Sequence, residues 1–168
     1  MAGAKRSAWD IATAALARRA LTRAELVRRL RRREVPQAEI DATLARLERL
    51  GFVDDRRVAY NHAAHRAEQG RRGRLRVRRE LLARGIPEPL VDEVLAETFP
   101  PEDERDRLER LFAQLTAGRG VPEDERERAR LARRLLRAGF PGAMVRARLE
   151  QADAEPGAPQ ETDDDEFA

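Results

Sequence analysis

The chain has 168 residues, 34 of them basic and 31 acidic, for a formal net charge of +3; charged residues make up 39% of it and aromatics only 4%. That is enough for one ordinary domain or a few small stacked units with a moderate core, and it argues against a large aromatic-lined pocket for a small molecule. Cysteine is absent, which excludes disulfides and thiolate chemistry.

Ala, Leu, Arg and Glu dominate in amphipathic spacing, and apolar residues nowhere alternate for long with period two, so the expected fold is all-α. The opening MAGAKRSAWDIA is basic but leads into an amphipathic pattern rather than the long apolar run of a signal peptide. No stretch approaches a membrane helix, and the expected location is the cytoplasm.

Residues 8 to 19 read as a first helix, with Ile11 and Ala15 on its apolar side and Trp9 packing within its own unit. Ser7, the only serine, is placed in a mobile N-terminus. Thr22 stands three residues before Glu25, a capping box that opens a second helix carrying Leu26 and Leu30 to about Arg33. Pro36 opens a third, striped by Ile40, Leu44 and Leu47, and Gly51 closes it as a left-handed cap.

Asp54 and Asp55 begin the next helix, which reaches about Glu68; the carboxylates suit its free backbone donors and its positive dipole end. Gly70 and Gly73 break the chain before a helix ending near Arg84, and another starts near Pro87. After Pro100-Pro101 come helices from Glu102 to about Leu115, from Glu123 to Ala138, and from Pro141 to about Gln151.

These segments repeat. The dipeptides Val35-Pro36, Ile86-Pro87 and Phe140-Pro141 align at spacings of 51 and 54 residues. Before them fall Leu30, Leu81 and Leu135, then Leu26, Val77 and Leu131; after them fall Ile40, Val91 and Val145, then Leu44, Leu95 and Leu149. Gly85 and Gly139 precede their dipeptides, whereas Glu34 holds that place in the first copy. The expectation is three tandem three-helix repeats, residues 1–51, 52–99 and 100–151, forming an elongated, curved array, because units this small bury their apolar faces by stacking. Residues 152–168 are expected to be a disordered acidic tail.

Charge is divided along the chain. Seven acids and no base fall in residues 152–168, leaving 24 acids against 34 bases, a difference of +10, in residues 1–151. Such a body is drawn to polyanions or acidic protein surfaces. Lys5 is the sole lysine, so the basic side chains are nearly all guanidinium groups, able to bind carboxylate or phosphate in bidentate fashion.

Arg71, Arg72, Arg74, Arg76, Arg78 and Arg79 are six of nine consecutive residues, astride the Gly70–Gly73 break and the following helix start. Arg28, Arg29, Arg31, Arg32 and Arg33 form a similar block in the first unit, and Glu25, Glu34 and Glu80 dilute both. A helix start already favours anions, and added guanidinium groups make a phosphate or carboxylate site, with contact to a polyanion backbone expected over base reading. His62 and His65 lack a third ligand, and the Asp54-Asp55 pair is explained by capping, so no metal is expected. No phosphate loop, dinucleotide fingerprint or nucleophile elbow occurs; neither an enzyme nor a cofactor is expected.

The stretch GFVDDRRVAY at 51–60, the RLRVRREL at 74–81, the RGI at 84–86 and the opening ALARRALTRAEL at 15–26 resemble the bacterial recombination regulator family RecX. The likeness places Gly51, Phe52, Asp54, Asp55, Ala59, Glu80, Leu81, Gly85 and Ile86 on the family's structural motif. The resemblance implies tandem three-helix repeats that lie in the groove of the RecA–DNA filament and restrain its ATPase, strand-exchange and co-protease functions. Some members also bind single- or double-stranded DNA directly. The expected partner is therefore the RecA filament, engaged by a monomer, with no membrane. The Arg71–Arg79 block, with Arg28 and Arg32, supplies the contact candidates. The alternatives are a helix-turn-helix-like DNA-binding module acting without RecA, and a helical adaptor for another protein.

Overall fold

A computed structural model describes residues 6–154; all but the first three residues of the expected acidic tail lie outside the described residues. Within them the chain forms nine helices and no strand: α1 (Ala8–Leu16), α2 (Arg23–Arg31), α3 (Gln37–Arg49), α4 (Asp55–Gln69), α5 (Arg74–Ala83), α6 (Glu88–Thr98), α7 (Glu102–Thr116), α8 (Glu125–Ala138) and α9 (Gly142–Ala154). The array is all-helical, as its periodicity predicts.

Helix ends follow local chemistry, with three departures from expectation. Ser7 is not in a mobile end: its hydroxyl accepts from the Asp10 N–H at 3.1 Å while the Asp10 carboxylate takes the Ser7 N–H, a reciprocal cap that starts α1. The α1 helix stops at Leu16 rather than running to residue 19. In turn, α9 runs on to Ala154, past the expected start of the tail, because Arg128 of α8 clasps the Asp153 carboxylate with both terminal nitrogens. The remaining caps are as read: Thr22 with Glu25 on α2, and Asp54 accepting from the Arg57 N–H at 2.9 Å on α4.

The repeat columns are the core. Leu26, Leu30, Ile40 and Leu44 are fully buried in one cluster, and Val77, Leu81, Val91 and Leu95 in a second. Leu131, Leu135 and Val145 form a third with Phe112 and Phe140, against which Leu149 packs. Every helix pair that packs extensively lies within one of these three groups. Burying a Leu or Val side chain stabilises by roughly 1.5–3 kcal/mol, so each trio has its own apolar centre.

Polar contacts at helix ends join one trio to the next. The C-terminus of α8 abuts the start of α5: the Gly73 and Leu75 N–H groups donate to the Ala138 and Gly139 carbonyls at 2.9 and 3.2 Å. A Cβ on Gly139, whose φ is +100°, would overlap the Arg76 backbone, and one on Gly73 would overlap the Gly139 carbonyl. The C-terminus of α5 abuts the start of α2 in the same manner. There the Thr22 hydroxyl donates to the Arg84 carbonyl at 2.8 Å, and a Cβ on Gly85 would overlap Ala24.

The three middle helices thus run end to end in the order α8, α5, α2, the negative end of each dipole at the positive end of the next. At 1.5 Å per residue their 14, 10 and 9 residues come to about 50 Å. Glu34 sits at the free end of this line, with φ +57° and no neighbouring trio to meet. That is why the first copy can do without the glycine.

Candidate polyanion cleft

Five arginines converge where the second and third trios meet. Arg71, Arg72 and Arg76 from the α4–α5 loop and the first turn of α5, with Arg134 and Arg137 from the end of α8, line a cleft of ≈ 650 Å³ floored by Leu111 and Ala138. Among the described residues, no acidic side chain lines it. The backbone builds it: Gly70, with φ +62°, ends α4 in the left-handed conformation, and the Gly73 N–H on the Ala138 carbonyl lays the Arg71-Arg72 loop beside Arg137.

Arg71, Arg72, Arg134 and Arg137 have no side-chain partner among the described residues. Only Arg76 is paired, its Nε donating to Glu80 at 2.9 Å. Unpaired guanidinium groups of one sign around a concavity repel one another, and bound anion relieves that cost. The planar donor sets suit phosphate or carboxylate oxygens.

The rest of the predicted block goes elsewhere. Arg74 turns inward and caps α6, donating to the Leu95 and Phe99 carbonyls at 2.7 and 2.8 Å. Arg78 is held by Glu88 and Asp92 of α6. Arg79 is exposed and, among the described residues, bonds only the Leu75 carbonyl of its own helix, at 3.2 Å. Arg28 donates to the Arg84 carbonyl at the junction of the first two trios, and Arg32, at the end of α2, is exposed far from the cleft in the chain.

The anion-favouring start of α5 is also already filled. Glu104 of α7 accepts the Arg74 N–H at 2.9 Å, and the α8 carbonyls take the neighbouring donors. Burial pushes the Glu104 carboxyl up, only partly offset by that hydrogen bond and by Arg107 and Arg74. An external anion therefore meets side chains here, not the helix end.

Among the motif residues, Ala59, Leu81 and Ile86 are core, and Asp54 is a cap. Asp55 bridges trios by accepting the Arg23 N–H at 2.7 Å. Glu80 gathers His62, Arg66 and Arg76 at 2.9, 3.2 and 2.9 Å; burial pushes its carboxyl up, but these partners outweigh it and hold it below the usual range. Phe52 is not a packing residue: it is 55% exposed, and its neighbour Val53 takes the buried place. His65 receives the Gln69 amide, and Trp9 packs on the first core under the Arg46 guanidinium, 4.1 Å from its ring centre.

Comparison with known proteins finds relatives by sequence and by fold. Residues 8–47 match the family model for the first three-helix domain of RecX, and residues 54–95 match that for the second. A protein of Chlorobium phaeobacteroides named Regulatory protein RecX is 32% identical over 146 residues, 87% of this chain and 93% of its own length. The chain belongs to the RecX family.

A RecX of Thermus thermophilus is 39% identical over 83% of this chain and 89% of its own, and one of Halorhodospira halophila is 38% identical over 86% and 87%. The crystal structure of RecX from Lactobacillus salivarius superposes with a TM-score of 0.73 over 88% of this chain and 96% of that one, at 18% identity, which speaks to the fold. Relatives so named are regulatory proteins. No helix among the described residues is long and apolar enough to cross a membrane.

Arg134 and Arg137, absent from the sequence candidates, complete the cleft. They belong to a second dense run, Arg126, Arg128, Arg130, Arg133, Arg134 and Arg137 on α8, so density flags the helix without saying which of its arginines reach the second trio. The signal that could find them is the repeat itself, which aligns Gly139 with Gly85 and so brings the end of α8 to the next helix start.

Proposed function

We propose that this chain modulates RecA, chiefly as an inhibitor, by lying in the groove of the RecA–DNA filament. Spanning neighbouring subunits, it restrains ATPase, strand exchange and co-protease action. The observation that carries this reading is the arginine cleft: a concave cationic site at the junction of the second and third trios, with four of its five arginines lacking a side-chain partner among the described residues. Membership of a family of regulators supports it. Arg71, Arg72, Arg134 and Arg137 meet acidic filament surface or DNA phosphates, and Arg76, shared with Glu80, borders the contact.

Co-sedimentation with RecA filaments assembled on single-stranded DNA, with naked DNA as control, tests the proposal. The chain is expected to pellet with filaments at concentrations where naked DNA retains little of it. Equal retention on both would favour a DNA-binding module acting alone, and retention on neither would end the RecA reading.

A further inference from the structure

We propose that the arginine cleft is an acidic-peptide site, and that its resident occupant is this chain's own segment 161–166, ETDDDE, which any polyanion must displace. This concerns regulation of the cleft described above and rests on reading that cleft as a polyanion site.

The case begins with matched charge. Segment 161–166 carries Glu161, Asp163, Asp164, Asp165 and Glu166, five carboxylates for the five guanidinium groups of the cleft. Four of those guanidinium groups lack a side-chain partner among the described residues, whereas at the same junctions Arg84 pairs with Glu25 and Arg107 with Asp103. Guanidinium–carboxylate pairs are the strongest hydrogen bonds on offer here.

Geometry supplies the second argument. The chain leaves α9 at Ala154, and Arg128 in the first turn of α8 pins that exit through Asp153. Arg134 and Arg137 are on the same helix α8. Nine residues separate Arg128 from Arg137, about 14 Å along a helix. Nine residues also separate Ala154 from Asp163, and as extended chain they span up to about 30 Å. The acids therefore reach the cleft with slack, and a tether this short holds them at an effective concentration on the order of millimolar. Even a weak site is occupied at that concentration.

The absence of cysteine allows a single probe to be placed. In full-length Thr162→Cys bearing a nitroxide, the backbone amide signals of Arg71, Arg72, Arg134 and Arg137 should lose about half or more of their intensity in about 0.1 M salt and recover in about 1 M, where the screening length falls from about 10 Å to about 3 Å. Adding Glu161→Gln, Asp163→Asn, Asp164→Asn, Asp165→Asn and Glu166→Gln to the labelled chain should abolish the loss. Cleft signals untouched at low salt would overturn the proposal. So would broadening spread equally over the remote Arg28–Arg33 surface, or broadening that survives neutralisation. RecA is absent from the sample, so this result and the filament experiment succeed or fail separately.

Discussion

At the scale of single residues, the informative comparison is between Glu34, Gly85 and Gly139, three occupants of one repeat position. All have positive φ, yet only the two glycines press against a neighbouring trio. Gly139→Ala should lose at least about 2 kcal/mol in urea unfolding, combining the roughly 1–2 kcal/mol of a left-handed alanine with overlap against the Arg76 backbone. Glu34→Ala changes an open position and should stay within about 0.5 kcal/mol of wild type. A loss at Gly139 no larger than the roughly 1–2 kcal/mol of a left-handed alanine would mean that the glycine serves φ alone and the junction is looser than described. Caps such as Thr22-x-x-Glu25 and Asp54 are legible in sequence because donor and acceptor lie three residues apart. The close approach at Gly139 is not, because its partner is Arg76, on another helix.

Among elements, charged and backbone contacts cross the junctions, and this makes them pH-sensitive. Arg84 reaches from the end of α5 to Glu25 at the start of α2, with contacts of 3.2 and 3.0 Å. Burial works against the Glu25 carboxylate, but hydrogen bonds from Arg84 and the Thr22 N–H, and the charges of Arg84 and Arg19, outweigh it and hold the carboxyl below its ordinary value of 4.5. A carboxyl depressed in the folded state adds stability above its unfolded pKa and loses it as pH falls through the folded one. Wild type should therefore exceed Glu25→Gln by about 1–2 kcal/mol at neutral pH, and the gap should close as pH falls below about 4.5. A gap independent of pH would show that the pairing contributes nothing through its charge.

The arginine block is also settled at this scale. Arg74 and Arg78, four apart on α5, face α6, while Arg76 on α5 and Arg72 in the loop before it line the cleft beside α8. Helical period separates Arg76 from Arg74 and Arg78, and sequence reads that separation. Which face stays open depends on packing between trios, and sequence does not read that.

Across the whole molecule, three apolar centres recur because the same columns of Leu, Val and Ile recur, and this is why the repeat fold is readable from the chain alone. The cleft is not, since it exists only where the third trio docks on the second: Arg134 and Arg137 come from one, Arg71 and Arg72 from the other. The proposed filament contact lies at that junction. The sharpest test is titration of RecA's DNA-dependent ATPase with wild type and with an Arg72→Glu, Arg134→Glu, Arg137→Glu variant of unchanged helicity. The variant should require at least roughly tenfold more protein for half-inhibition, a loss of about 1.4 kcal/mol in binding; a well-folded variant that inhibits as strongly as wild type would contradict the cleft's role in contacting the filament.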